Sequence, residues 1–140
     1  MPTHALAAAL IAAAVALPVV AVAGNALPVG DPARGKAIYG MCMYCHAIDA
    51  NRVGPMHRGL FGRAAGSVPG FAYSAAMKRA GEKGLIWNAK TLDLYLANPQ
   101  KVVPGTRMLF GGIADAQTRA DLIAYLQKAT AAVPKADAAR

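Results

Sequence analysis

Cys42-Met43-Tyr44-Cys45-His46 is the stretch on which the reading of this chain turns. Two thiols two residues apart, followed at once by an imidazole, form the C-x-x-C-H pattern through which a haem is attached covalently. At the end of a helix the two sulfurs can reach the two vinyl groups of one porphyrin edge and form thioethers. The next residue then sits under the iron, where a histidine nitrogen can ligate it. Three other readings compete. A thioredoxin-like redox pair wants a βαβ context, and nothing in the chain supplies one. A zinc site needs two further ligands, and the remaining histidines are His4, in an apolar leader, and His57. A plain disulfide across two residues leaves His46 without a role.

Immediately upstream, Asp31-Pro32 reads as an N-cap followed by proline at the first helical position, where a missing N–H costs nothing. The expected helix runs from Pro32 to Met41, with Ile38 and Tyr39 as apolar anchors, and delivers Cys42 at its end. Downstream, Ala47 to Gly70 is rich in Gly and Pro and lacks the alternation of a strand. So long a structureless loop argues against a compact domain unless it wraps a buried group. Ser74 is expected to cap a helix over Ala75–Ala80 ending at Gly81. Asn88 caps another, with Leu92, Tyr95 and Leu96 at i, i+3 and i+4 and Pro99 as its stop. Asp115 caps the last, whose stripe is Thr118, Leu122, Tyr125 and Leu126 and whose end lies near Thr130. The class is all-α: four to five short helices and long loops around one haem.

Farther out, the 140 residues carry a formal charge of +8 and an apolar fraction of 56%. Much of that apolar excess lies in Ala5–Ala23. This run is long enough for a membrane span, but Ala21-Val22-Ala23 supplies the small-x-small pattern of a cleaved signal peptide. No Lys or Arg precedes it, so the α-amine, helped by His4, carries the amino-terminal charge. The organisation expected is a cleavable signal peptide over 1–23, a linker over 24–30, one domain over 31–130 and a flexible tail over 131–140. Retention of the leader would instead make a membrane anchor. The excess positive charge points to an acidic partner. The basic residues are scattered, with no interleaved aromatics, which argues against nucleic acid. Solubility alone is the plainer account of the charge.

The second axial position decides the chemistry. Met41, Met43 and Met56 lie too close to the attachment point to cross easily to the opposite face, and Met77 falls inside an expected helix. Met108 lies on the turn Pro104-Gly105-Thr106-Arg107-Met108 between two helices, free to fold over the porphyrin. Histidine plus a thioether closes both axial positions and raises the reduction potential. Such a site carries single electrons and leaves no room for oxygen or substrate. An open position would instead suit a small peroxidase or a gas-binding protein.

Gly30 to about Thr130 resembles the class I cytochromes c, both the mitochondrial protein and the soluble periplasmic cytochromes of purple bacteria. The resemblance rests on Cys42-x-x-Cys45-His46, Val53-Gly54-Pro55, Gly59-Leu60-Phe61-Gly62-Arg63, Tyr73-Ser74, Trp87, Thr91-Leu92 with Tyr95-Leu96, Asn98-Pro99, the Met108 turn, and Arg119 to Leu126. It implies that the Pro55 carbonyl orients His46. It implies too that Arg63, Tyr73 and Trp87 hold a haem propionate, and that Tyr95 and Thr106 line the Met108 side. By the same resemblance Gly35, Tyr39, Leu122 and Tyr125 form the crossing of first and last helices, although ordinary core packing is the preferred account of Tyr125.

The chain departs from the mitochondrial pattern. The loop after Ala47 is shorter, and extra residues stand between Ala80 and Trp87. Met41, Gln100 and Ala114 replace lysines around the exposed haem edge, leaving Lys101 and Arg107 as a thinner basic ring. Met77 replaces an asparagine of an internal water network, and His57 replaces an apolar residue near the haem. His57 reads as a loop histidine rather than a ligand.

The function this implies is a monomeric, non-enzymatic periplasmic carrier of single electrons in a respiratory or photosynthetic chain. Its partners would be redox proteins met briefly and salt-sensitively. A quinol-oxidising cytochrome complex or a dehydrogenase would act as donor, and an oxidase or a photosynthetic reaction centre as acceptor. No stable membrane insertion is expected.

Overall fold

Four helix starts are set by local chemistry, and all four appear where the side chains call for them. The computed structural model describes residues 26–131. The expected leader, the first two linker residues and the tail beyond residue 131 lie outside the described residues. Helix α1 (Pro32–Tyr39) starts where the Asp31 carboxylate accepts from the Ala33 N–H at 2.7 Å. Helix α2 (Ala75–Glu82) begins at Ser74, whose hydroxyl accepts from Met77 N–H at 3.1 Å. Helix α3 (Ala89–Ala97) opens with a reciprocal capping box between Asn88 and Thr91, both bonds 2.9 Å. The last helix, α5 (Ala116–Ala129), is capped by Asp115, which accepts from the Thr118 N–H and hydroxyl at 2.6 Å each. Each such cap is worth about 1 kcal/mol.

Helix ends depart from expectation. Helix α1 stops at Tyr39 rather than Met41, because Gly40 and Met41 already bond three residues back, to Ala37 and Ile38. That tightening leads into a single 3-10 turn, Cys42–Tyr44. Helix α2 runs through Gly81. This glycine is required for close approach, since a Cβ there would overlap the Ala65 carbonyl, and the left-handed residue that follows the helix is Gly84 (φ 93°). Pro99 does not merely stop α3. It opens a one-turn helix α4 (Pro99–Val102), with Asn98 ending the first helix and capping the second.

Helices α1 and α5 cross closely. An added Cβ at Gly35 would overlap the Asp121 carbonyl and stand 2.7 Å from the Tyr125 Cβ, so only glycine fits. Tyr39 and Tyr125 meet there with ring centroids 5.2 Å apart. The buried face of α5 is wider than the expected stripe. It comprises Ala120, Asp121, Leu122, Ile123 and Leu126, because α5 touches α1 and α3 at once. Among the described residues there are no strands, only one antiparallel bridge pairing Ala64 with Ile86. It ties the 47–70 loop to the segment before α3, where Gly62 N–H reaches the Trp87 carbonyl at 2.8 Å. Loop and helices together leave a cavity at the centre, floored by Leu60, Leu92, Leu122 and Leu126.

Candidate haem site

That cavity has a volume of about 450 Å³ and a largely apolar wall. The 3-10 turn after α1 brings Cys42 and Cys45 to it. The Cys45 and His46 N–H groups both donate to the Cys42 carbonyl (3.1 and 2.8 Å), folding the pentapeptide so that the thiols and the imidazole share one wall. The two cysteines are free. Burial, reinforced by the neighbouring Cys45, pushes the Cys42 thiol up to about 11, the opposite of the depressed pKa a reactive thiol–disulfide pair needs. Among the described residues no group of three or more His, Cys, Asp or Glu side chains converges as a metal cage would.

His46 Nδ1 lies 2.8 Å from the Pro55 carbonyl, the bond expected of it; Nδ1 therefore carries the proton and Nε2 keeps its lone pair. Burial lowers the His46 pKa against the opposing pull of that carbonyl, which favours the neutral form of the ring. Gly54 packs directly on the ring: a Cβ there would stand 2.6 Å from Nε2.

The other expected residues line the same cavity: Arg63, Tyr73, Trp87, Tyr95, Thr106 and Met108. The Arg63 guanidinium donates to the carbonyls of Arg58 (2.7 Å) and Met56 (3.1 Å), and its pKa is lowered by burial. No carboxylate pairs with it among the described residues, so it is a half-buried cation with its charge uncompensated. Tyr73 accepts from the Val68 N–H at 3.3 Å, and burial raises its pKa. Tyr95, 5% exposed, bonds the Thr106 hydroxyl at 3.1 Å, and that hydroxyl accepts from the Met108 N–H at 3.3 Å. The turn carrying Met108 is thereby tied to α3.

These groups fit a haem. A reduced thiol pair, a neutral imidazole with a free Nε2, a thioether and an unpaired guanidinium, all on one apolar cavity, match its vinyls, its iron and a propionate. Two further residues join them. Met77, placed by sequence inside a helix, is buried on the cavity wall, where the i, i+3 relation to its Ser74 cap turns it inward. His57 stacks on His46 with centroids 4.3 Å apart and planes 21° apart. Two ligands trans across a metal stand end to end, not face to face, so His57 cannot be the partner of His46. Burial, then the nearby His46 and Arg63, lowers the His57 pKa to about 3. A second hollow of about 610 Å³, between α2 and Val102–Pro104, is lined by no sulfur or imidazole among the described residues.

Comparison with known proteins agrees. Residues 32–130 match the family model described as "Cytochrome c". "Cytochrome c 2.1" of Caenorhabditis elegans is 46% identical over 104 residues, covering 72% of this chain and 91% of that protein. "Cytochrome c2" of Afifella marina is 48% identical over 98 residues, 68% of this chain and 79% of that protein. The structure of cytochrome cH from Methylobacterium extorquens superposes with a TM-score of 0.66 at 42% identity, over 71% of this chain and 99% of the other. With the attachment pentapeptide, the helix crossing and the cavity all inside the matched span, the chain belongs to the cytochrome c family, within its class I branch.

Proposed function

We propose that this chain is an exported, soluble carrier of single electrons, with one haem c bound through Cys42 and Cys45 and ligated by His46 and Met108. The observation that carries the reading is that His46, oriented by Pro55, and Met108, held by Thr106, line one largely apolar cavity with both thiols. Bound there, the haem supplies a one-electron iron couple. His46 contributes a neutral nitrogen whose basicity rises through its bond to Pro55. Met108 contributes a soft thioether, and its loop is restrained by the Tyr95–Thr106 pair. Arg63, with Tyr73 and the Trp87 indole, holds a propionate and neutralises charge that the apolar wall would otherwise disfavour. Leu60, Leu92 and Leu122 keep water out, so little solvent reorganises when the charge changes.

The export half of the reading rests on the Ala5–Ala23 leader and its Ala21-Val22-Ala23 end. No helix among the described residues is long and apolar enough to cross a membrane. A periplasmic carrier would take electrons from a quinol-oxidising complex or a dehydrogenase and give them to an oxidase or reaction centre. The deciding test is the far-red sulfur-to-iron charge-transfer band of the oxidised protein. It is expected in the native protein and in Met77→Leu, and absent from Met108→Ala. A band that survives Met108→Ala and vanishes in Met77→Leu makes Met77 the ligand. No band in the native protein opens the sixth position and turns the function toward catalysis or ligand binding.

A further inference from the structure

The ring of His46 is restrained by more than its bond to Pro55. The hydrogen bond at Nδ1 acts on one edge of the imidazole and leaves its two faces to be held by packing. The Gly54 backbone lies against the ring, and the His57 ring stacks on it at 4.3 Å and 21°. His57 is itself anchored: its Nδ1 lies 3.0 Å from the Tyr39 hydroxyl, on a tyrosine that is 3% exposed. Tyr39 belongs to α1 and packs on Tyr125 of α5, so the chain Tyr125–Tyr39–His57–His46 runs from the helix crossing to the proximal imidazole.

We propose that His57, locked by the Tyr39 hydroxyl, is a positioning residue that sets the plane of the His46 imidazole and hence the orientation of the proximal ligand over the haem. The inference rests on the haem reading above. An apolar branched side chain would fill the same space. It would offer neither a flat face to lie parallel to the imidazole nor a nitrogen through which α1 could fix that face. The plane matters because an imidazole donates electron density through the π orbital perpendicular to its ring. The direction of that orbital, together with that of the lone pair on the second ligand, decides which porphyrin methyls carry unpaired spin in the oxidised protein.

The test is proton NMR of the oxidised holoprotein, reading the order and spread of the shifted haem methyl resonances, with the far-red band recorded on the same samples. Tyr39→Phe removes one oxygen and leaves the packing intact; it is expected to change the methyl pattern. His57→Leu is expected to change it further, and His57→Phe, which keeps a flat ring, to return it part of the way toward native. The Tyr39→Phe/His57→Leu double variant should match His57→Leu alone, since the hydroxyl acts only through the ring. A merely space-filling His57 would lower stability in His57→Leu while Tyr39→Phe left the pattern unmoved. That result, or equal changes in His57→Leu and His57→Phe, overturns the proposal while the retained far-red band upholds the haem reading. A native protein without shifted methyls or the far-red band overturns both.

Discussion

Asp121 shows how much one buried carboxylate can carry outside the haem site. It is 3% exposed, accepts from Arg34 Nε at 2.6 Å and Nη2 at 2.9 Å, and takes the Asp31 N–H at 2.7 Å and Gln117 Nε2 at 3.0 Å. The Arg34 bond first, and the Asp31 N–H second, hold its carboxyl well below the ordinary carboxylate range. Its pKa is therefore lower folded than unfolded, where it sits near about 3.9. The stabilisation is present above about pH 4 and is lost as pH falls through the folded value. Asp121→Asn should lower the melting temperature at neutral pH, with the gap to the native protein narrowing as the pH is taken below about 3. Parallel melting curves across that range would remove the ion pair from the account. The pairing of Arg34 with Asp121 could not be read from hydrophobic pattern, because nothing local marks two charges at opposite ends of the domain as neighbours. His57 was hidden for a related reason: a loop histidine gives no sign of burial until its partners Tyr39 and His46 are placed beside it.

At the scale of elements, the crossing of α1 on α5 is the joint that sets where the attachment turn begins. Gly35 admits no side chain there, because its neighbours are backbone, the Asp121 carbonyl, rather than a side chain able to move aside. Gly35→Ala should therefore cost about 2–3 kcal/mol, the upper part of the range for overpacking, and lower the urea midpoint without changing the slope of unfolding. Gly111, with nothing within 4 Å of a would-be Cβ, is the control. Gly111→Ala should stay within about 0.5 kcal/mol of native. A Gly35→Ala variant as stable as the native protein or more so would mean that the gain in helix propensity and the smaller unfolded-chain entropy, not the crossing, govern the response. Helix starts were legible in the sequence because an N-cap is a contact spanning three residues, as at Asp31, Ser74, Asn88 and Asp115. Helix ends were less so. Gly81 carries the residue type of a stop, yet it is needed for Ala65 to approach, and Pro99 serves a new helix. These are tertiary facts written in residue types that also have local meanings.

At the scale of the whole molecule, charge and the rim of the cavity point in different directions. The chain carries +8, yet the lining residues that reach the surface include Met41 (48% exposed), Val53 (79%) and Leu109 (97%). The basic groups beside them are few: Arg107 on the wall, and Arg52, which precedes Val53 and donates to the Met43 carbonyl at 2.9 Å. The nine residues expected from sequence to hold the haem do line one cavity, because each belongs to a motif with its own local signal. The apolar rim around them carries no such signal, since an exposed Met or Leu looks in sequence like a core residue. A partner meeting this rim senses the local potential within about one Debye length, roughly 10 Å at 0.1 M salt, and not the net charge. Oxidation of the reduced protein by a small anionic iron hexacyanide should therefore slow as salt is raised. The effective protein charge obtained from the slope should fall well short of the +8 that the sequence carries. Met41→Lys places a cation on the rim and should steepen the slope by about one charge, while leaving the far-red band unchanged. A slope that already reports the full charge, or one indifferent to Met41→Lys, would put the site of electron exit elsewhere on the surface.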